Sequence, residues 1–250
     1  MAARNFCEAN KPFVASCPFT QLCYEIFQQE LGFSKDFFDR AGDQCFCANC
    51  MLGRDPAAAS SLTRGAPPSR YCRPLGFTRF GLKLQPGVAD LHDVFGTWHV
   101  SYHAISADSA KQIFAAGFHL LRAGDTALGG RVLGVVPGHI RTPFDRTNAY
   151  TLLPELFDPN QIFTSPSIAY VSTDVYAKPL TVIHEGRAVQ CRFVFQCRQR
   201  PGSYCIGQET VGAARRGVRV DPVFENREIE WYTKENVGVV LTGLLMIIDV

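Results

Sequence analysis

The sequence predicts an α+β domain built on mostly antiparallel sheets, preceded by a small helical, cysteine-rich segment. Three observations lead there. Alternation at the strand period returns in separated segments, among them Phe80 to Leu84, Trp98 to Tyr102 and Val189 to Gln199. Strands and helices do not alternate regularly, as a doubly wound parallel fold requires, and no internal repeat is present. Seven of the ten cysteines fall in the first 72 residues, with Cys45, Cys47 and Cys50 packed together.

Taken in order, residues 1–72 read as the helical, cysteine-rich unit and residues 73–250 as the main domain. Leu22, Cys23, Ile26, Phe27 and Leu31 recur at helical spacing, Pro18 suits a first helical turn, and Gly32 ends the helix. A second short helix follows Ser34 and turns Phe37 and Phe38 inward. Gly53 to Ser69 (GRDPAAASSLTRGAPPS) is rich in Ala, Ser, Pro and Gly, so 53–71 reads as a linker. Strands on Phe80 to Leu84 and Trp98 to Tyr102 then open the main domain. Ser106 caps a helix whose face carries Ala110, Ile113 and Phe114 and which stops at Gly117. Arg122 to Asn160 is a long loop rich in Gly and Pro, of a length usually tied to function. Gln161 to Thr164 is a short strand, Pro166 to Ala177 a short helix, and Val189 to Gln199 a strand alternating on Cys191, Phe193, Phe195 and Cys197. Strands on Ile229 to Tyr232 and Val239 to Ile248 complete the series.

A chain of 250 residues that is 46% apolar can bury a substantial core. Its net charge of +2, from 25 basic and 23 acidic residues without any like-charged run, makes nucleic acid an unexpected partner. Arg215, Arg216 and Arg219 sit among small residues and read as a solvated loop. The N-terminal stretch lacks the apolar core of a secretory signal, and no stretch has the roughly 18 apolar residues of a membrane helix, so an intracellular, cytoplasmic chain is expected. Clustered cysteines in such a compartment point to metal before disulfides. Cys45-x-Cys47-x-x-Cys50 brings three thiolates within reach of one structural zinc ion, with Cys72, or else Cys23, as the fourth ligand. The ion would tie down residues 1–72.

Three separated pieces carry the candidate chemistry. WHVSYHAIS ends a strand in Tyr102 and His103 before the helix AKQIFAAGF; IFTSPSIAY leads a strand into a helix with Ser167 and Tyr170 three apart; NREIEWYTKENVGVVLTGLL sets Glu228 and Glu230 on one face of a strand. Together they offer a histidine, a hydroxyl, an aromatic ring and a carboxylate near strand ends. Each also has a plain alternative. His103 suits a hydrogen-bonded edge histidine, Tyr170 a core residue with a wet hydroxyl, and the two glutamates a solvent-facing row alternating with buried Ile229 and Trp231.

The order and setting of these pieces resemble the ADP-ribosyltransferase catalytic domain in its poly(ADP-ribose) polymerase-like form. YHAIS with IFAAGF resembles that family's histidine, glycine, threonine/serine opening and its helix stop. SPSIAY resembles its serine-x-serine-x-x-tyrosine, and EWYTKENVGVVLTGLL its glutamate strand with the downstream apolar strand. This resemblance covers about residues 77–250. A narrower one, to the C-terminal region of neuralized-like proteins, rests on PLGFTRFGL and EIEW and reaches back to the cysteines.

The resemblance implies a split, mostly antiparallel sheet core with flanking helices, and an enzyme that transfers ADP-ribose from NAD to protein side chains and releases nicotinamide. It implies that His103 holds the adenosine ribose, that the main chain of Ala104 and the hydroxyl of Ser167 bind the nicotinamide amide, that Tyr170 stacks on the ring, and that Glu230 bonds the nicotinamide ribose. Phe163 falls where the family has a strand tyrosine. Two departures stand out: Ala104 replaces the family's glycine, and Phe163 has no hydroxyl. The retained glutamate implies transfer, the absence of a second, chain-extending feature implies single ADP-ribose units, and Glu228 adds an E-x-E pair of the kind used by the arginine-modifying branch. Ala104 and Phe163 argue for an alternative, a catalytically silent module that binds NAD or protein, and the neuralized-type resemblance implies a link to ubiquitin ligase assemblies.

Overall fold

The structure, a computed structural model, describes residues 17–52, 60–84, 86–115, 117–118, 120, 122, 125, 132 and 160–249. Its strands are β1 (Gln44–Cys45), β2 (Ser61–Arg64), β3 (Ser69–Cys72), β4 (Thr78–Gly81), β5 (His99–Ile105), β6 (Ile162–Thr164), β7 (Leu180–His184), β8 (Arg187–Gln199), β9 (Cys205–Gly207), β10 (Glu230–Thr233) and β11 (Val239–Asp249). Its α-helices are α1 (Pro18–Glu25), α2 (Ala48–Met51), α3 (Pro86–Leu91), α4 (Val94–Thr97), α5 (Ala107–Ala115) and α6 (Ile168–Val171). This is a mixed fold of helices and antiparallel sheets, the class expected from the alternation.

The main sheet runs β1-β4-β11-β8-β5, with β7 also on β8. β8 is long enough to pair β7 along its first half and β5 along its second, while β11 occupies its other edge. Alternation divides its side chains: Cys191, Phe193, Phe195 and Cys197 enter a core shared with α1 and α5, and Val194 enters a second core with Tyr102 and Tyr170. A second sheet runs β6-β10-β9. Tyr102 and Ser165 join the sheets by exchanging backbone hydrogen bonds of 2.7 and 3.0 Å, so β5 passes into β6 at a single bridge.

The N-terminal segment is fastened to the main sheet. β1 pairs with β4, and Phe27 stacks on Phe33 and Phe80 at centroid distances of 4.8 and 4.5 Å. Buried Arg79 bonds the carbonyls of Gly42 and Thr242 and the Gln196 side chain. The segment comes so close that a Cβ on Gly81 would stand 2.4 Å from the Asp39 carbonyl oxygen, which only glycine avoids.

Local signals carry over where they are chemically specific. Pro18 stands in the first turn of α1, which continues as a π-helical turn, Ile26–Glu30, to Gly32. Ser106 accepts the Ser109 N–H at 3.1 Å and caps α5, and Gly117, at φ +79°, ends it. The expected linker is a correction: β2 and β3 form a hairpin across Ser61–Cys72. Its backbone is docked, since Ala66 N–H donates to the Thr97 carbonyl, Cys72 N–H to Pro166, and His99 Nε2 to the Pro67 carbonyl. The expected helix over Pro166 to Ala177 shortens to α6 followed by turns. The Arg122 to Asn160 loop lies outside the described residues except at 122, 125, 132 and 160. No helix among the described residues is long and apolar enough to cross a membrane.

Candidate functional site

Glu230 opens β10, opposite Gly207 of β9, with Trp231 opposite Thr164 of β6. Far from joining a solvent-facing row, its side chain is only 3% exposed. One carboxylate oxygen, Oε2, accepts the Tyr170 hydroxyl at 2.7 Å and the Thr210 hydroxyl at 3.0 Å. The Tyr170 oxygen in turn accepts the Thr210 N–H at 2.9 Å, and the Tyr176 hydroxyl closes the ring at 2.9 Å from Tyr170 and 2.6 Å from Thr210. Burial pushes the Glu230 carboxyl up to about 7, although the Tyr170 and Thr210 hydrogen bonds favour its ionised form; nearby Glu209 raises it further. The result is an acid poised to ionise near neutrality, the tuning found in groups that move or stabilise charge.

Tyr170 reaches this ring because Ser167 caps α6 and accepts its N–H at 3.0 Å. The Ser167 hydroxyl donates at 2.5 Å to Asp221, which also receives the Cys72 thiol at 3.2 and 3.4 Å and the N–H groups of Val223 and Phe224. The Ser167 hydroxyl thus donates to Asp221 in this structure, whereas the family resemblance implies donation to a ligand amide. Cys72 belongs to the same buried network and not to the other clustered cysteines, a correction to its reading as a metal ligand. Burial, with Asp221 beside it, drives its thiol strongly upward and keeps it protonated.

His103 lies half-buried on β5, one residue beyond the bridge. Its Nδ1 is 2.8 Å from the Phe163 carbonyl; a carbonyl only accepts, so Nδ1 carries the proton and Nε2 is left as an acceptor. Burial holds the ring below the ordinary histidine range, which favours this neutral form. Ala104 opposes Val194, and the Phe163 ring stands 6.4 Å from that of Tyr232 across β6 and β10. Tyr170 and Glu230 are therefore in contact, whereas His103 is not joined to either. Its strand and that of Glu230 flank β6, on the order of 10 Å apart at the usual strand spacing.

A second cluster lies at the other end of the main sheet. The Sγ atoms of Cys17, Cys45, Cys47 and Cys50 all lie within 4.8 Å of one another, a group able to hold a metal ion. Cys17, with no role in the sequence reading, supplies the fourth thiol in place of Cys72, while Cys23 is buried outside the group. One signal was present: Cys17 immediately precedes the helix-opening Pro18 and so stands at the N-cap. Asp221 had a comparable signal in Asp-Pro, whose Asx turn bonds Val223 and Phe224. Thr210 and Tyr176 had none. No family model matches the chain.

Proposed function

We propose that the chain is a mono-ADP-ribosyltransferase that moves ADP-ribose from NAD to protein side chains and releases nicotinamide. One observation supports this most: a carboxylate at the start of β10, almost fully buried, touches the hydroxyl of the tyrosine that the family-like motif carries. Breaking the bond between the nicotinamide nitrogen and ribose C1 leaves the electron pair on nicotinamide and positive charge on the sugar. An ionised Glu230 beside C1 would stabilise that charge until an acceptor side chain attacks and loses its proton. His103, with Nε2 free to accept, suits a ribose hydroxyl, and the separation of β5 from β10 leaves room for the two ends of a dinucleotide.

On this reading the Thr210 segment withdraws before nicotinamide reaches Tyr170, because Thr210 now bonds both Tyr170 and Glu230. The ion that the four thiols can hold serves the fold and takes no part in the transfer. Phe163 without a hydroxyl, Ser167 turned to Asp221 and the closed Glu230 ring favour a second reading, a silent module that binds NAD or a protein of a ubiquitin ligase assembly.

The test is incorporation of labelled ADP-ribose from NAD into the protein and into a cell lysate, for wild type and Glu230→Gln. Label that disappears with the substitution supports the transferase. NAD binding without label in either protein overturns it in favour of the silent module, and absence of both overturns any NAD-based reading.

A further inference from the structure

We infer that Cys17, Cys45, Cys47 and Cys50 form a tetrathiolate zinc site that clamps α1 to the edge of the main sheet. The inference stands apart from the transferase reading. The four sulfurs come from three places in the fold: the N-cap of α1, the edge strand β1, and the N-cap and body of α2. Cys17 stands 3.6 Å from both Cys45 and Cys47. A tetrahedral zinc ion with sulfur at about 2.3 Å has sulfur–sulfur edges of about 3.8 Å, close to this spacing. A disulfide needs about 2.05 Å and uses two sulfurs, leaving the other two unexplained.

The surroundings carry a second and independent sign. Four thiolates around a divalent ion bear two net negative charges, which need donors and a cation near them. The buried Thr20 hydroxyl has no oxygen or nitrogen partner and faces only the Cys17 and Cys45 sulfurs, which as thiolates would be its acceptors. Arg73, 7% exposed, has an unpartnered Nε, and its Nη1 reaches only the sulfur of Met51, the residue after Cys50. Thr78, opposite Cys45 in the sheet, directs its hydroxyl at the Cys45 sulfur from 3.9 Å. Neutral thiols are weak acceptors and leave these groups nearly unsatisfied; metal-bound thiolates supply both the charge and the lone pairs. An all-sulfur set selects soft or borderline ions over calcium and magnesium, and tetrahedral four-sulfur geometry suits zinc.

The full chain, expressed and purified without chelator, should carry one zinc per molecule by elemental analysis. Cys17→Ser should weaken zinc binding on the order of 100-fold or more in competition with a chromogenic chelator, while Cys72→Ala should keep the full complement. If Cys17→Ser fails to fold, cobalt substitution of the wild type decides: a visible spectrum of tetrahedral, four-thiolate cobalt supports the site. A chain that takes up no zinc when it is offered, one that carries iron with labile sulfide, or one that loses zinc with Cys72→Ala and keeps it with Cys17→Ser overturns the inference.

Discussion

The Glu230 ring and the cysteine cluster are both buried assemblies of polar side chains, and they differ in how their hydrogen bonds close. Around Glu230 the hydroxyls of Tyr170, Tyr176 and Thr210 satisfy one another and the carboxylate, and none of these atoms is left without a partner. Around the four cysteines, the Arg73 Nε is a buried donor with nothing to bond, and the Thr20 hydroxyl faces only thiol sulfurs, weak acceptors while neutral. A closed ring contributes its bonds with no ligand present, whereas an open cluster leaves desolvated donors that cost free energy until something charged fills it. On the two proposals, one site opens to work and the other fills to hold.

Removing metal should have the largest effect on this contrast. Stripping the full chain with a strong chelator should cost about 4 kcal/mol, lowering the melting midpoint by about 10 °C for a chain of this size, with recovery on adding zinc. An unchanged midpoint would erase the difference between the two clusters. Next comes transfer: Glu230→Gln keeps an amide oxygen for the Tyr170 and Thr210 hydroxyls, so the fold should persist while label incorporation drops by about 100-fold. Equal loss of folding and activity, followed by circular dichroism, would make Glu230 a structural residue only.

The third prediction concerns pH. The folded Glu230 carboxyl titrates at about 7 against an ordinary value of 4.5, so its stabilising contribution is complete below 4.5 and is lost as pH rises to about 7. The Glu230 share of that loss should be up to about 3 kcal/mol. Glu230→Gln should show a shallower slope that keeps the part from Asp43, which burial pushes up to about 6, as read from urea midpoints at each pH. Transfer should rise over the same window, because the ionised form stabilises the sugar cation; a pH-independent rate would count against that role. The smallest effect belongs to Thr210→Val, which removes one hydroxyl from the ring but leaves the Thr210 N–H on Tyr170. About 1 kcal/mol of stability should go, and the midpoint of the transfer profile should move to higher pH. A midpoint that stays put would show that Thr210 does not hold the carboxylate.

Features governed by near neighbours were legible in the sequence. Pro18, the Ser106 cap, the Gly117 stop and the β8 alternation each depend on a few adjacent residues. The hairpin over Ser61–Cys72 was not, because its strands have little apolar alternation and are held by distant groups such as His99 and Thr97. β7 carries a weak local sign: Glu185 and Gly186, at φ +48° and +75°, make the tight turn into β8. At the candidate site, motif order singled out Tyr170 and Glu230, which do meet. Their burial was illegible, since the cover comes from Thr210, 20 positions before Glu230, and Tyr176, 6 positions after Tyr170, neither with a pattern of its own. Cys17 was hidden likewise by its distance of 28 positions from Cys45.

β11 has a consequence for how this molecule is made. It is the last of the described strands to leave the ribosome, yet it lies between β4 and β8 and bonds both. Until it arrives, each of those strands presents an open hydrogen-bonding edge, and the hydrophobic surface of β8 has no sheet partner on that side. Synthesis that stalls before Val239 therefore leaves two unpaired edges able to capture strands from other chains. The long sequence separation between β4 and β11 makes their pairing a slow, late event in folding.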